Sequence, residues 1–348
     1  MVVFLICFTS LLLISTLIPF VKKEYWIFRI FEYPRLQKLM LTILCIILWF
    51  FFLSQKNNTH FILLALLLLN AFYLIYLIFP FTPLAKVQVL KIDREISNNG
   101  ISVMIANVYQ ENKNYNGCLV EVSKANPDVL LLVETGTKWE LETRVLENEY
   151  PFSVKIPLDN TYGMILYSKF ELQDACIHYL VEEGVPSIHT KIKLKNNKLI
   201  QLYAVHPTPP VPNENPTSAE RDKELLLIAD LAKKSEIPVI VIGDLNDVAW
   251  SFTTKLFLKM SGLLDPRRGR GFFNTFHAHY FFLRFPLDHA FISVDLKLKK
   301  IQRMDNFNSD HFPMYLSLQY EEQAKEEQES MQPDADDIEI AAQKKNAV

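Results

Sequence analysis

The first 81 residues contain apolar runs that are too long and too hydrophobic for an ordinary soluble fold. Apolar side chains account for 57 of these residues, and all nine glycines of the chain lie at or beyond Gly100. No charged residue occurs in Met1–Val21, Leu39–Gln55 or Asn57–Ala85. Because a helix needs about 20 apolar residues to cross about 30 Å of hydrocarbon, these runs predict a membrane anchor over residues 1–85, with about three transmembrane helices.

Two features of these runs leave an alternative open. The middle run is short, although Trp49 and the three phenylalanines Phe50–Phe52 at its end are typical of a membrane interface. The first run could be a cleaved signal peptide, but it lacks a basic start and a small-residue cleavage site. The alternative to three spans is therefore two spans plus a signal peptide or a buried helix.

Basic residues predict the orientation of the chain in the membrane, because cytoplasmic loops are enriched in lysine and arginine. The second loop carries only Lys56. The first loop and the segment after the third run carry more, namely Lys22, Lys23, Arg29, Arg35 and Lys38, and then Lys86, Lys91 and Arg94. We therefore expect everything after residue 85 to lie on the cytoplasmic side, and the loss of one span would reverse this prediction.

The pattern changes after a linker at residues 86–99. Residues 100–320 combine short apolar runs with helix-like segments, which predicts one α/β domain. The predicted strands are Ile101–Asn107, Val129–Glu134, Gly163–Ser168, Ile188–Leu194, Leu199–His206, Val239–Asp244, Leu287–Ser293 and Phe312–Leu318. The predicted helices are Asn116–Ala125, Ala219–Lys234 and Ser251–Ser261. Residues 321–348 hold nine acidic residues and three lysines, which predicts a disordered acidic tail.

Several predicted strands end at a polar residue that can bind a metal or a phosphate. These residues are Asn107, Glu134, His206 and Asp244. Sites in α/β sheets form at the carboxyl ends of strands. The strongest pattern is the buried strand that ends in Gly243-Asp244-Leu245-Asn246, where the aspartate can take a proton from water and the amide can donate to a phosphoryl oxygen.

A second pattern joins Asp288 to the sequence Ser309-Asp310-His311. An aspartate and a histidine from separate strands supply an imidazole that the carboxylate holds in one tautomer. Asp310 is then available to bind a divalent cation together with Glu134.

Taken in this order, the residues at 107, 134, 243–246, 288 and 309–311 resemble the endonuclease/exonuclease/phosphatase superfamily over about residues 100–319. With the apolar segment in front, the chain most resembles the membrane-anchored bacterial branch of that family. The resemblance implies an α/β fold, a four-layer α/β sandwich with two mainly antiparallel sheets between helices, preceded by an all-α transmembrane segment. It also implies an integral protein of the bacterial inner membrane.

The resemblance also implies a role for each site residue. Glu134 would be the principal ligand of Mg²⁺, with Mn²⁺ as a substitute, assisted by Asn107 and Asp310. Asp244 would orient or deprotonate the attacking water. The phosphate contacts and the charge-stabilising histidine with its orienting aspartate would be Asn246, His206, His311 and Asp288.

Three departures from the family pattern bear on the substrate. Val133 replaces the usual glutamine before the metal-binding glutamate, and Tyr109 replaces an aspartate often found two residues after the first asparagine. No tyrosine can be assigned the role that one has in apurinic endonucleases. These departures question nuclease-type recognition more than metal-dependent hydrolysis.

The charge of the catalytic part also bears on the substrate. Residues 100–320 carry 24 basic and 26 acidic residues, which argues against a long nucleic acid, since phosphate contacts supply much of a nuclease's affinity. The exception is a loop in which Arg267, Arg268 and Arg270 could bind a phosphorylated group, or could simply be solvated.

Three hypotheses for the function follow from the sequence. They are a membrane-anchored Mg²⁺-dependent phosphoesterase for a lipid or small phosphoester, a membrane-tethered nuclease, and a non-catalytic binding protein. The expected partners are the lipid bilayer and a phosphoester substrate; no protein partner can be inferred.

Overall fold

A computed structural model describes residues 2–21, 23–52 and 58–347 of the chain. Its N-terminal helices are α1 (Val2–Leu17), α2 (Trp26–Arg29), α3 (Arg35–Phe52) and α4 (Asn58–Ile78). The stretches Val2–Phe20 and Asn58–Phe81 are each long and apolar enough to cross a membrane. Helix α3 counts as a third candidate span only if it is combined with the helical residues 26–32, and the two helices are bent by 67° relative to each other. Residues 1, 22, 53–57 and 348 lie outside the described part. They include one end of each of the three predicted apolar runs and the basic residues Lys22 and Lys56.

The soluble part contains two mixed β-sheets. Its strands are β1 (Gly100–Asn107), β2 (Val129–Val133), β3 (Phe152–Ile156), β4 (Met164–Ser168), β5 (Leu172–His178), β6 (Ser187–Lys193), β7 (Leu199–Ala204), β8 (Val239–Asp244), β9 (Asp288–Ile292), β10 (Leu296–Arg303) and β11 (Met314–Tyr320). The first sheet has the order β10-β11-β1-β2-β4-β3, and the second has the order β5-β6-β7-β8-β9. The pairs β1–β2 and β7–β8 are parallel, and the other pairs are antiparallel.

The two sheets pack face to face and carry helices on their outer faces. Alternate residues of both sheets, such as Val103, Leu131, Leu202 and Ile240, meet in one buried core. The opposite face of the first sheet packs on α5 (Tyr115–Ala125) and α6 (Thr137–Thr143), and that of the second sheet on α7 (Ala219–Lys234) and α8 (Phe252–Ser261). The predicted four-layer sandwich is confirmed, because strands with two apolar faces need a cover on each side.

Every predicted strand and helix of the soluble part is present within a few residues of its expected bounds. The sequence missed β3, β5, β10 and α6. Strand β5 is largely exposed, and β10 carries Lys297, Lys299 and Lys300, so neither has the apolar run that reveals a buried strand.

The predicted linker at residues 86–99 packs against the domain that follows it. Val89 is fully buried in the core between the sheets. Lys91 forms a β-bridge with Leu298, and the backbone N–H of Leu90 donates to the side chain of Gln328 at 2.6 Å. The segment therefore connects the N-terminal helices to the first sheet through specific packing and backbone contacts.

The prediction of a disordered tail is wrong. Residues after 320 form α9 (Ala324–Glu327) and α10 (Ala335–Lys345), and Asp334 caps α10 by accepting from the N–H of Asp337. Ala341 is buried against α7 and α8. The tail is ordered because its charges find partners: Lys344 Nζ lies 2.7 Å from Asp222 and 2.6 Å from Glu24.

Candidate active site

Acidic and amide side chains from both sheets converge on one edge of the sandwich. Asn107 is the last residue of β1, and Glu134 follows β2 directly. Asp244 ends β8 and Asp288 begins β9, and antiparallel pairing sets these two residues opposite each other. The parallel neighbours β1 and β2 and the antiparallel pair β8 and β9 thus deliver four polar side chains to the same place.

His311 lies between the two aspartates of the second sheet. Its Nδ1 is 2.8 Å from Asp288 Oδ2, and its Nε2 is 3.5 Å from Asp244 Oδ2. Ser309 fixes the loop that carries the histidine, since its hydroxyl donates to the Asn107 carbonyl at 2.7 Å and accepts from the His311 N–H at 3.0 Å. Both ring nitrogens therefore face carboxylates at fixed positions.

The electrostatics of this group favour a protonated imidazole. Burial lowers the pKa of His311, but the carboxylates of Asp288 and Asp244 outweigh burial and raise it to about 10. The ligand atoms of these three residues lie within 4.8 Å of one another, as a metal site would require. Because the histidine already forms a hydrogen bond with Asp288 and an ion pair with Asp244, we interpret the group as a charged triad that holds a proton.

The metal ligands predicted from the sequence lie beside this triad. Asn107 Nδ2 donates to Glu134 Oε1 at 2.7 Å and to Asp244 Oδ2 at 3.1 Å. Burial raises the pKa of Glu134 to about 7, with Asp310 and Asp244 adding to the rise. Among the described residues, Asp310 Oδ1 is buried without a hydrogen-bond partner. Uncompensated negative charge and oxygen donors fit a hard divalent cation such as Mg²⁺.

The backbone around this edge adopts conformations that are unfavourable for ordinary residues. Tyr109, Glu134 and Asn246 have φ values of 55°, 60° and 49°, which lie in the left-handed region. Gly243 has a φ of 152°, and a Cβ there would lie 1.8 Å from the Val205 carbonyl oxygen. Such conformations cluster at functional sites, where the surrounding structure holds them.

The two predicted phosphate contacts, His206 and Asn246, lie on adjacent segments of the second sheet. His206 is buried, its Nδ1 lacks a partner among the described residues, and burial lowers its pKa. Asn246 Nδ2 donates one of its hydrogens to the Pro207 carbonyl at 3.0 Å. The ring of Tyr162, which sequence reasoning missed, lies 5.7 Å from the His206 ring.

A profile of the Endonuclease/Exonuclease/phosphatase family matches residues 104–311, a stretch that contains all the site residues described so far, from Asn107 to His311. The chain belongs to the endonuclease/exonuclease/phosphatase family. Members of this family are metal-dependent hydrolases that act on phosphoester bonds. No curated protein matches the chain.

Solved structures show the same fold at low sequence identity. Humanized TDP2 of D. rerio has a TM-score of 0.53 at 15% identity, with 63% of this chain and 99% of that chain covered. The catalytic domain of human Nocturnin has a TM-score of 0.52 at 17% identity, covering 68% of this chain and 97% of that one. A family protein from Bacteroides thetaiotaomicron has a TM-score of 0.52 at 16% identity, covering 65% and 100%.

The arginine loop predicted to bind substrate does not do so through Arg267. That side chain is 1% exposed and bonds to Asp265 and to the Asp288 carbonyl, so it supports the start of β9. Arg268 lies over the ring of Phe81, and Arg270 donates to the carbonyls of Val89 and Pro266. The loop is packed under the N-terminal segment and residues 87–89, and the burial of Arg267 rules out the predicted substrate contact for that residue.

The structure adds a contact between the anchor and the catalytic loop that the sequence did not reveal. The Tyr33 hydroxyl donates to the Asn246 carbonyl at 2.7 Å, and Arg221 Nη1 donates to the same oxygen at 2.7 Å. Trp250 Nε1 donates to the Glu32 carbonyl at 3.0 Å. Tyr33 is therefore a positioning residue that helps to hold the strained Asn246 turn.

We predict that Tyr33→Phe lowers kcat for a soluble phosphodiester by about fivefold and leaves KM nearly unchanged, since one hydrogen bond of about 1 kcal/mol is lost while Arg221 still holds the turn. Steady-state kinetics of the full chain measure both constants. Tyr25→Phe, in the same loop but with an exposed ring, is the matched control. Equal kinetics for Tyr33→Phe and wild type would contradict the positioning role.

Proposed function

We propose that the chain is a membrane-anchored, Mg²⁺-dependent phosphoesterase in which water attacks a lipid or small phosphoester. The triad of Asp288, His311 and Asp244, in which His311 is hydrogen-bonded to Asp288 and ion-paired with Asp244, carries this proposal together with the neighbouring carboxylate of Glu134. It supplies a proton acceptor, a positive charge and cation ligands at one edge of the fold.

Glu134, Asn107 and Asp310 would hold the cation, which is Mg²⁺ or its substitute Mn²⁺. When bound, such an ion acts as a Lewis acid on a phosphoryl oxygen and on the leaving group. The amide of Asn107 bridges Glu134 and Asp244, so the ligands and the proton acceptor keep a fixed separation.

The remaining residues act on the water and the phosphoryl group. Asp244 accepts from the Asn246 N–H at 2.9 Å through Oδ1, which orients its carboxylate to accept a proton from the attacking water. His311, protonated and oriented by Asp288, stabilises negative charge on the phosphoryl oxygens. His206 and the amide of Asn246 would contact the other oxygens of the group.

Contacts between the first loop and the soluble domain support three spans rather than two. The Trp26 N–H donates to the Pro216 carbonyl, and the Ser218 N–H donates to the Glu24 carbonyl, both at 2.8 Å. The first loop and the domain must therefore lie on the same side of a membrane. Since α3 and α4 separate them, both helices would cross, and the basic loops assign that side to the cytoplasm of a bacterial cell.

We predict that Asp244→Asn lowers Mg²⁺-dependent hydrolysis of bis-p-nitrophenyl phosphate by about 10²–10⁴-fold, and His311→Ala by about 10²–10³-fold. Initial rates of the purified full chain provide the measurement. Asp174→Asn and His178→Ala, both exposed on β5, are the matched controls. The assignment fails if wild type is inactive with Mg²⁺ and Mn²⁺, or if both site variants retain wild-type rates.

We predict that Glu134→Gln and Asp310→Asn raise the Mg²⁺ concentration for half-maximal activity by about 10-fold or more, because each removes a negatively charged oxygen ligand. Loss of bound Mn²⁺ in electron paramagnetic resonance titrations of the full chain checks this without activity. Glu171→Gln, on the far end of the second sheet near β5, is the control. Unchanged Mn²⁺ binding in both site variants would contradict this ligand set.

A membrane-tethered nuclease with the same catalytic residues is the second candidate, favoured by the family's name and by a TDP2 structure described as complexed with single-strand DNA product. The net charge of −2 over residues 100–320 and the packed arginine loop favour a smaller or lipid substrate.

We expect the full chain to hydrolyse phospholipid headgroups or inositol phosphates faster than single- or double-stranded DNA. Faster release of nucleotides in the same assay would favour the nuclease.

A further inference from the structure

Four consecutive large side chains of a short turn are exposed beside the active site. Tyr280, Phe281, Phe282 and Leu283 are 59%, 70%, 73% and 52% exposed. Single apolar residues on a surface are ordinary, whereas a contiguous apolar patch marks a contact with a partner or a membrane. We name residues 280–283 the aromatic turn.

The aromatic turn is tied to the catalytic edge on one side. The Ala278 N–H donates to the Asp310 carbonyl at 2.6 Å, and the Phe276 ring lies 5.0 Å from the His311 ring. The turn therefore directly follows a segment that packs on Asp310 and His311, and whatever contacts the turn also lies close to these site residues.

The same turn is tied to the anchor on its other side. Gln37 Nε2, in the first turn of α3, donates to the Phe282 carbonyl at 2.8 Å. The exposed apolar face of α3 begins at Met40, one turn further along the helix, and continues through Ile43, Leu44 and Ile47. The aromatic turn thus lies level with the point where α3 becomes a surface suited to hydrocarbon.

The chemistry of the turn fits the boundary between lipid and water. Aromatic side chains are enriched at that boundary, and the Arg284 guanidinium stacks on the Phe281 ring at 5.2 Å from its centre. An exposed apolar surface that continues from the lipid-facing side of a spanning helix is stabilised by lipid in the same way as the helix.

We propose that the aromatic turn is a bilayer contact that lies in the headgroup layer and holds the candidate active site close to the membrane surface. This inference rests on the membrane anchor of the proposed function, and it deepens it by making the accessible substrate a phosphoester of the bilayer itself.

The test uses the full chain in proteoliposomes of phosphatidylethanolamine and phosphatidylglycerol. Phe281→Cys, in a Cys7→Ser/Cys176→Ser background, receives an environment-sensitive NBD label, since the other two cysteines are buried. We expect a blue-shifted emission and quenching by doxyl-labelled lipid about threefold stronger than at the control position. Val145→Cys, exposed to a similar degree on the outer helical layer, is that control.

Iodide in the aqueous phase separates the remaining outcomes. Equal doxyl quenching at both positions, with free iodide quenching at 281, would place the turn in water and overturn the proposal. Shielding from both quenchers would indicate a protein partner, such as a second copy, and would also overturn it. Hydrolysis of bis-p-nitrophenyl phosphate by the labelled chain tests the proposed function separately, because inactivity with intact lipid quenching would reject the enzyme assignment alone.

Discussion

The placement of His311 between Asp288 and Asp244 is the constraint on which the rest of the site depends. A buried imidazole keeps its proton only if carboxylates surround it, and a buried carboxylate needs that positive charge in return. The antiparallel register of β8 and β9 fixes the two aspartates opposite each other. Ser309 ties the histidine loop to the end of β1, so the chain of charges can form only when both sheets are packed together.

A second set of buried charges connects the catalytic loop to distant parts of the chain. Arg221 holds the Asn246 carbonyl and pairs with Asp222, which in turn binds Lys344 of the last helix. Lys344 also binds Glu24 in the first loop, and Tyr33 of that loop meets the same Asn246 carbonyl. These contacts connect the N-terminal segment, the C-terminal helix and the Asn246 turn to one another. The domain is therefore packed directly against the N-terminal segment and is not joined to it only through a flexible linker.

The sequence predicted the buried strands, and it named the polar residues that the fold brings together at the candidate site, because both leave local signals. An apolar run predicts a central strand, and polar residues at the ends of successive strands indicate a candidate site. The roles of Arg267, Tyr33 and Lys344 leave no such signal, since each depends on a partner brought near by folding. From the sequence alone, Arg267 looks like a solvated basic residue. In the structure, Asp265 and the backbone of β9 enclose its side chain. The composition of the acidic tail likewise predicts disorder. In the structure, Lys259 of α8 pairs with Asp334 and Asp337 of the tail.

The low charge of the catalytic part acquires a physical meaning once the anchor and the aromatic turn are considered together. A soluble nuclease must collect its polyanionic substrate from solution, and a basic surface does this at a distance. An enzyme whose active-site mouth is fixed at the headgroup layer meets its substrate at high local concentration without long-range attraction. Such an enzyme needs positive charge only where the phosphoryl group reacts. In the proposed function, the protonated His311 beside the residues that would hold the cation supplies that charge locally, and the outer surface can remain close to neutral.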